Sequence, residues 1–116
     1  MQKFLILYLS PTPAREEVSN RSPEEAKAGK DAWLQWAKQA GSAIVELGAP
    51  LADAGSTKSK VTGFTIMQAN NARDLEPLLR DHPHTKHPGA TLEIHEFLDV
   101  PGMSQGSGER ELAYSR

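Results

Sequence analysis

The sequence predicts one α+β domain of the ferredoxin-like kind, four antiparallel strands and two helices in the order β-α-β-β-α-β. Three observations carry this expectation. Phe4-Leu-Ile-Leu-Tyr-Leu9 is an unbroken apolar run ended by Ser10-Pro11, the pattern of a strand covered on both faces. Ser22-Pro23-Glu24-Glu25 is a complete helix start. Three more strand-like stretches follow that helix, two before a second helical pattern and one after it.

Each element has its own local reason. Ser10 to Arg21 holds Pro11, Pro13 and mixed charges and is expected to be a loop. In the first helix Ser22 is the N-cap, Pro23 takes the first helical position and Glu25 closes a capping box. Ala26, Gly29, Trp33, Trp36, Ala37 and Ala40 then recur at three- and four-residue steps, and Gly41 supplies the stop. Ser42 to Leu47 reads as the second strand, closed by Gly48 and Pro50, and Asp53 to Lys60 as a connecting loop. Val61 to Gln68 is a third strand rich in β-branched residues. Asn70-Asn71 offers an N-cap to a second helix with Ala72, Leu75, Leu78 and Leu79 on one face. Pro77 removes a backbone donor inside that pattern, so the helix is expected to kink or to be short. Asp81 to Ala90 is a loop and Thr91 to Leu98 the fourth strand. Residues 1–103 are expected to form the domain and residues 104–116 a polar tail.

Composition narrows the functions. The 116 residues carry 13 Lys+Arg against 15 Asp+Glu, a formal charge of −2. Nucleic-acid and anionic-membrane binders carry a basic excess, so neither partner is expected. The chain has no cysteine, which excludes thiol nucleophiles, disulfides and thiolate metal sites. The six-residue apolar run near the N-terminus is too short for an export signal or a bilayer span, so a cytoplasmic location is expected. No nucleotide fingerprint or nucleophile elbow appears, and no cofactor is implied. Two helices cover one sheet face, while the strands are apolar on both sides. A bare apolar face of that size is normally covered. A homodimer packed through the open sheet face, forming a dimeric α+β barrel, is therefore expected.

The first-strand residues just named, Asp31-Ala-Trp-Leu-Gln-Trp-Ala37, Ala40-Gly-Ser-Ala43, Gly48-Ala-Pro-Leu51, Gly63-Phe-Thr-Ile66, His82-Pro-His84 and Gly89-Ala-Thr-Leu-Glu-Ile-His-Glu-Phe97 with Pro101-Gly-Met103 follow a recognisable order. Together they resemble the YCII-related family, including its DGPF-type members. The resemblance implies the dimeric α+β barrel fold. It also implies a family with members linked to lactone-type dehalogenation and to hydrolytic chemistry. In its better-known branch, a histidine in the first helix pairs with an aspartate just before a proline after the second helix. Here Lys30 falls at the first position and His82 precedes Pro83, so the resemblance does not carry that pair to this chain.

The candidate chemistry rests on histidines. His82-Pro-His84-Thr-Lys-His87 places three of them in six residues, and imidazoles serve as acid, base or ligand near neutrality. No carboxylate or thiolate stands beside them at a metal-motif spacing, so no metal is expected. The alternative for this loop is a capping or surface role. In the last strand Leu92 and Ile94 share one face, expected under the helices, and Glu93, His95 and Phe97 the other. Glu93 and His95 then face the barrel side or dimer seam, as a proton-transfer pair or as a cross-strand or inter-subunit hydrogen bond. Tyr8 either brings a hydroxyl to a pocket wall or is a buried tyrosine satisfied by one partner, and Trp33 and Trp36 belong to the core. The leading expectation is a small-molecule enzyme or binder. It has His82, His84 and His95 as candidate catalytic residues, and Tyr8 and Glu93 as candidate substrate contacts. Its rival is a non-catalytic dimeric interaction or regulatory module, a role in which DGPF-type relatives are set beside alternative sigma factors.

Overall fold

A computed structural model describes residues 1–102, so the polar tail expected for 104–116 lies outside the described residues. Four strands form one antiparallel sheet: β1 (Gln2–Leu9), β2 (Ile44–Pro50), β3 (Val61–Ala69) and β4 (Thr91–Glu96). Their order across the sheet is β2-β3-β1-β4, the ferredoxin-like arrangement that the sequence predicts. β1 sits centrally because it is apolar on both faces. It pairs with β3, Ile6 opposite Thr65, and with β4, Ile6 opposite Ile94.

The helices lie on one face. α2 (Pro23–Ala40) begins as expected: the Glu25 amide donates to the Ser22 hydroxyl, and the Ser22 amide donates to the Glu25 carboxylate. Burying its stripe against Phe4, Ile6, Tyr8 and Met67 builds the core, with Trp36 and Ala40 on the helix side. Trp36 adds a directional tie, its Nε1–H donating to the Leu78 carbonyl at 2.8 Å. Beyond the sheet, Asn71 caps a 3-10 turn (Ala72–Leu75) that runs into α3 (Glu76–Arg80). The second helical pattern is thus short, as Pro77 allows. Pro77 stands in the first turn of α3, where its missing N–H has no intrahelical acceptor to lose. Leu75 and Leu79 are buried and Leu78 is partly so, whereas Ala72 is exposed.

Three expectations need correction. Ser10 to Arg21 is not all loop, because it contains α1 (Ala14–Asn20). Pro11 and Pro13 precede the first helical residue and so do not interrupt it, and Glu16 and Glu17 suit its first turn. Gly48 does not end β2 but lies inside it at φ +89, within an irregular pairing with β3. A Cβ there would stand 1.8 Å from the Phe64 carbonyl oxygen, so only glycine admits this approach. The last strand is also shorter than expected, ending at Glu96 rather than Leu98.

Among the described residues, no helix lies on the far face of the sheet. Leu5, Leu7, Leu9, Phe64 and Ile66 are half-buried there, while Phe4, Ile6 and Tyr8 on the helix face are fully enclosed. No helix among the described residues is long and apolar enough to cross a membrane.

Candidate functional site

A cleft of about 300 Å³ opens where the ends of β1, β2 and β3 meet α1 and α2. Each element contributes for a local reason. Gly29 on α2 brings no side chain to the wall, and the Arg21 guanidinium occupies the space instead: Nη1 lies 3.1 Å from where a Cβ would be. The bulged Gly48 opens the pairing of β2 at the cleft edge. α1 closes the far side with Ala14, Glu17 and Val18. The floor carries Tyr8, Trp33 and His84.

His84 is the best-defined polar group in this wall. A 3-10 turn, Pro83–Lys86, delivers it, and Pro83 presets that turn. Its Nε2 lies 2.9 Å from the Leu9 carbonyl and 2.8 Å from the Thr91 carbonyl. Both are acceptors, so Nε2 carries the hydrogen and donates to the two of them. The ring plane and tautomer are thereby set. In the neutral ring Nδ1 bears a lone pair, and among the described residues nothing donates to it.

His82 plays a different part. It is fully buried, set edge-to-face against Trp36 and Trp33 and tilted against Tyr8, at centroid distances of 4.2, 4.4 and 4.7 Å. Its Nδ1 accepts the His84 amide at 2.9 Å and so caps the turn that carries His84. Nε2 has no hydrogen-bond partner among the described residues. Desolvation in this aromatic box, reinforced by neighbouring His84, pushes the His82 pKa down to about 3. His82 is therefore a neutral structural group near pH 7.

Tyr8 lies between them. Its hydroxyl donates to Thr65 Oγ1 at 2.7 Å, because the Thr65 hydroxyl hydrogen is already given to the Leu47 carbonyl. Burial pushes the phenol up to about 12, with the Thr65 hydrogen bond opposing in part. Tyr8 thus stays a phenol at neutral pH and meets the cleft as an aromatic surface.

The structure brings Tyr8, His82 and His84 together and leaves the other two candidates apart from them. Glu93 and His95 lie on the open sheet face, where His95 Nε2 and Glu93 Oε1 are 2.9 Å apart with about half of each side chain exposed. Their pairing runs along one strand rather than across two. Among the described residues no three His, Cys, Asp or Glu side chains are grouped as metal ligands are. Of the two tryptophans, Trp36 is core as read, whereas Trp33 also forms part of the cleft wall. Sequence reasoning named Lys30 and His87 without making them site candidates and passed over Arg21; all three line the cleft, and α1, also missed, closes it. The signal for α1 was present: Pro13 followed by Glu16-Glu17 repeats the proline-then-acid pattern of Pro23-Glu24-Glu25.

Fold and cleft together define an α+β sheet-and-helix protein with one concave, partly aromatic recess of small-molecule size. The chain is similar in structure to 5-chloro-2-hydroxyhydroquinone dehydrochlorinase from Burkholderia phenoliruptrix AC1100, solved in complex with 2,5-dihydroxybenzoquinone. The TM-score is 0.54 at 18% sequence identity, over 85% of this chain and 96% of that one. That likeness establishes the fold alone, a four-stranded antiparallel sheet packed with helices. No protein-family model matches the sequence, and no curated protein matches it.

Proposed function

We propose that this chain is a small-molecule enzyme of the YCII-related kind, with His84 as the acid/base group of the cleft. One observation carries the reading. The ring lining a recess of about 300 Å³ has Nε2 locked by two backbone carbonyls and its other nitrogen uncommitted. A base held in one tautomer and one plane is prepared for proton transfer before a substrate arrives. His82 supports it by capping the turn beneath, and Tyr8 and Trp33 supply flat apolar walls. The family assignment is supported by the ordered motifs of the sequence together with the fold. The similar dehydrochlorinase, which acts on a small hydroxylated ring by its name, supports substrates of that size.

The same proposal includes a homodimer. Leu5, Leu7, Leu9, Phe64 and Ile66 form an apolar sheet face that no helix among the described residues covers, and a second copy offers its equal. Glu93 and His95 rim this face and belong to the seam rather than to the cleft.

The test is a small-molecule thermal-shift screen on the wild type and on His84→Gln. The Gln amide retains a donor for the Leu9 and Thr91 carbonyls but has no basic nitrogen, so the fold is kept. The expected result is turnover of a stabilising hit by the wild type and at least a 100-fold loss in the variant. Stabilising hits that neither protein transforms would refute catalysis and leave a binding or regulatory module.

A further inference from the structure

The cleft is cationic on a chain that is acidic overall. Arg21 and Lys30 line it, against a single carboxylate, Glu17. The chain as a whole has a formal charge of −2, so this local excess runs against the average. Neither Arg21 nor Lys30 forms an ion pair among the described residues, where the two pairs are Lys27–Asp31 and Glu93–His95. Arg21 does lower the Glu25 carboxyl slightly, the least of several influences on that group. Glu17 is engaged elsewhere, its Oε1 accepting from the Ser10 hydroxyl at 3.3 Å.

The position of Arg21 is built rather than incidental. It follows the last residue of α1 and precedes the N-cap of α2, so two helices fix its backbone in extended conformation. Gly29 then lets the guanidinium lie against α2, because any side chain there would meet Nη1 at 3.1 Å. Lys30 is the next residue of the same helix, and Trp33 follows on the next turn. A cation pair thus stands beside the aromatic surfaces of Trp33 and Tyr8.

We infer that the cleft takes a small planar organic anion, a ring bearing a carboxylate or an ionised enol or phenol. Its charge meets Arg21 and Lys30, its face lies on Trp33 and Tyr8, and its reacting C–H or O–H is turned to His84. This inference rests on the cleft being the small-molecule site and names its substrate class. Arg21 and Lys30 are exposed at the cleft, and the guanidinium presents a planar fork of donors to an oxyanion.

Binding of two probes tests it, 2,5-dihydroxybenzoquinone, an acidic ring ionised at neutral pH, and the uncharged 2,5-dimethoxybenzoquinone. Calorimetric titrations would use the wild type, Arg21→Gln/Lys30→Gln, and Lys86→Gln as a surface control. The expected result is tighter binding of the anion, an affinity that falls with added salt, and a loss of about tenfold or more in the double variant only. The neutral ring should bind weakly and equally to all three. Equal affinity of both rings for the wild type, unchanged in the double variant, would overturn the anion class while leaving the cleft as a small-molecule site. Binding of neither ring at millimolar concentration would overturn both.

Discussion

Replacing His82 with phenylalanine separates two roles of that ring through their pH dependence. Phenylalanine fills the box formed by Tyr8, Trp33 and Trp36 but cannot accept the His84 amide, so a buried donor is left unpaired. That loss costs about 1–2 kcal/mol at any pH. The second role concerns protons. The folded protein holds His82 neutral down to about pH 3, whereas in the unfolded chain the ring has its ordinary value of 6.5. As pH drops below that ordinary value, the unfolded chain takes up a proton that the folded one refuses, so stability falls. At about pH 5 the folded ring is still neutral, and only unfolded-state ionisation counts, worth about 2 kcal/mol relative to pH 7.5. The variant cannot suffer this loss. Urea denaturation followed by fluorescence of Trp33 and Trp36 should therefore show the variant below the wild type at pH 7.5. The gap should shrink, or reverse, by about 2 kcal/mol at pH 5. A gap that stays the same at both pH values would refute the assignment of His82 as a buried neutral group.

Other expectations follow from the same structure. Gly48→Ala should destabilise the protein by roughly 3 kcal/mol or more in denaturant titrations, since φ is +89 and a Cβ meets the Phe64 carbonyl. Gly55→Ala, with φ +58 and open space around it, should cost only about 1 kcal/mol. Leu7→Lys places a charge in the centre of the open sheet face beside Glu93, its partner in β4. Sedimentation should show a dimeric wild type at micromolar concentration and a folded, monomeric variant. A monomeric wild type would refute the seam.

How much of this was legible in the sequence depends on the range of the interactions involved. The Ser22–Glu25 capping box and the Gly41 stop, at φ +56, are local, and both were readable. The ferredoxin-like architecture followed from the element order β-α-β-β-α-β, in which the apolar run of β1 stands first. Gly48 was misread because a bulge and a strand end show the same residue. What distinguishes them is the Phe64 carbonyl, far along the chain. The prolines of Ser10–Arg21 hid α1 because proline before a helix looks like proline in a loop. The histidines posed a harder problem. His82 and His84 are two residues apart with opposite fates, one walled in by aromatic rings, the other tied to Leu9, a contact spanning 75 positions. No spacing rule encodes that. Glu93 and His95 were correctly set on the open face, but strand alternation could not say that this face lies away from the cleft. Arg21 and Lys30 look like ordinary surface charge until α1 and α2 fold them toward one recess.

The central claim is that His84 stands ready at a small-molecule cleft, and nitrogen NMR of its ring tests it most directly. Long-range proton–nitrogen spectra at neutral pH should show His84 with the hydrogen on Nε2 and a bare Nδ1. Adding 2,5-dihydroxybenzoquinone should shift the Nδ1 resonance and leave His95 still. A hydrogen on Nδ1 with a bare Nε2, or a probe that moves His95 and leaves His84 unchanged, would contradict the account.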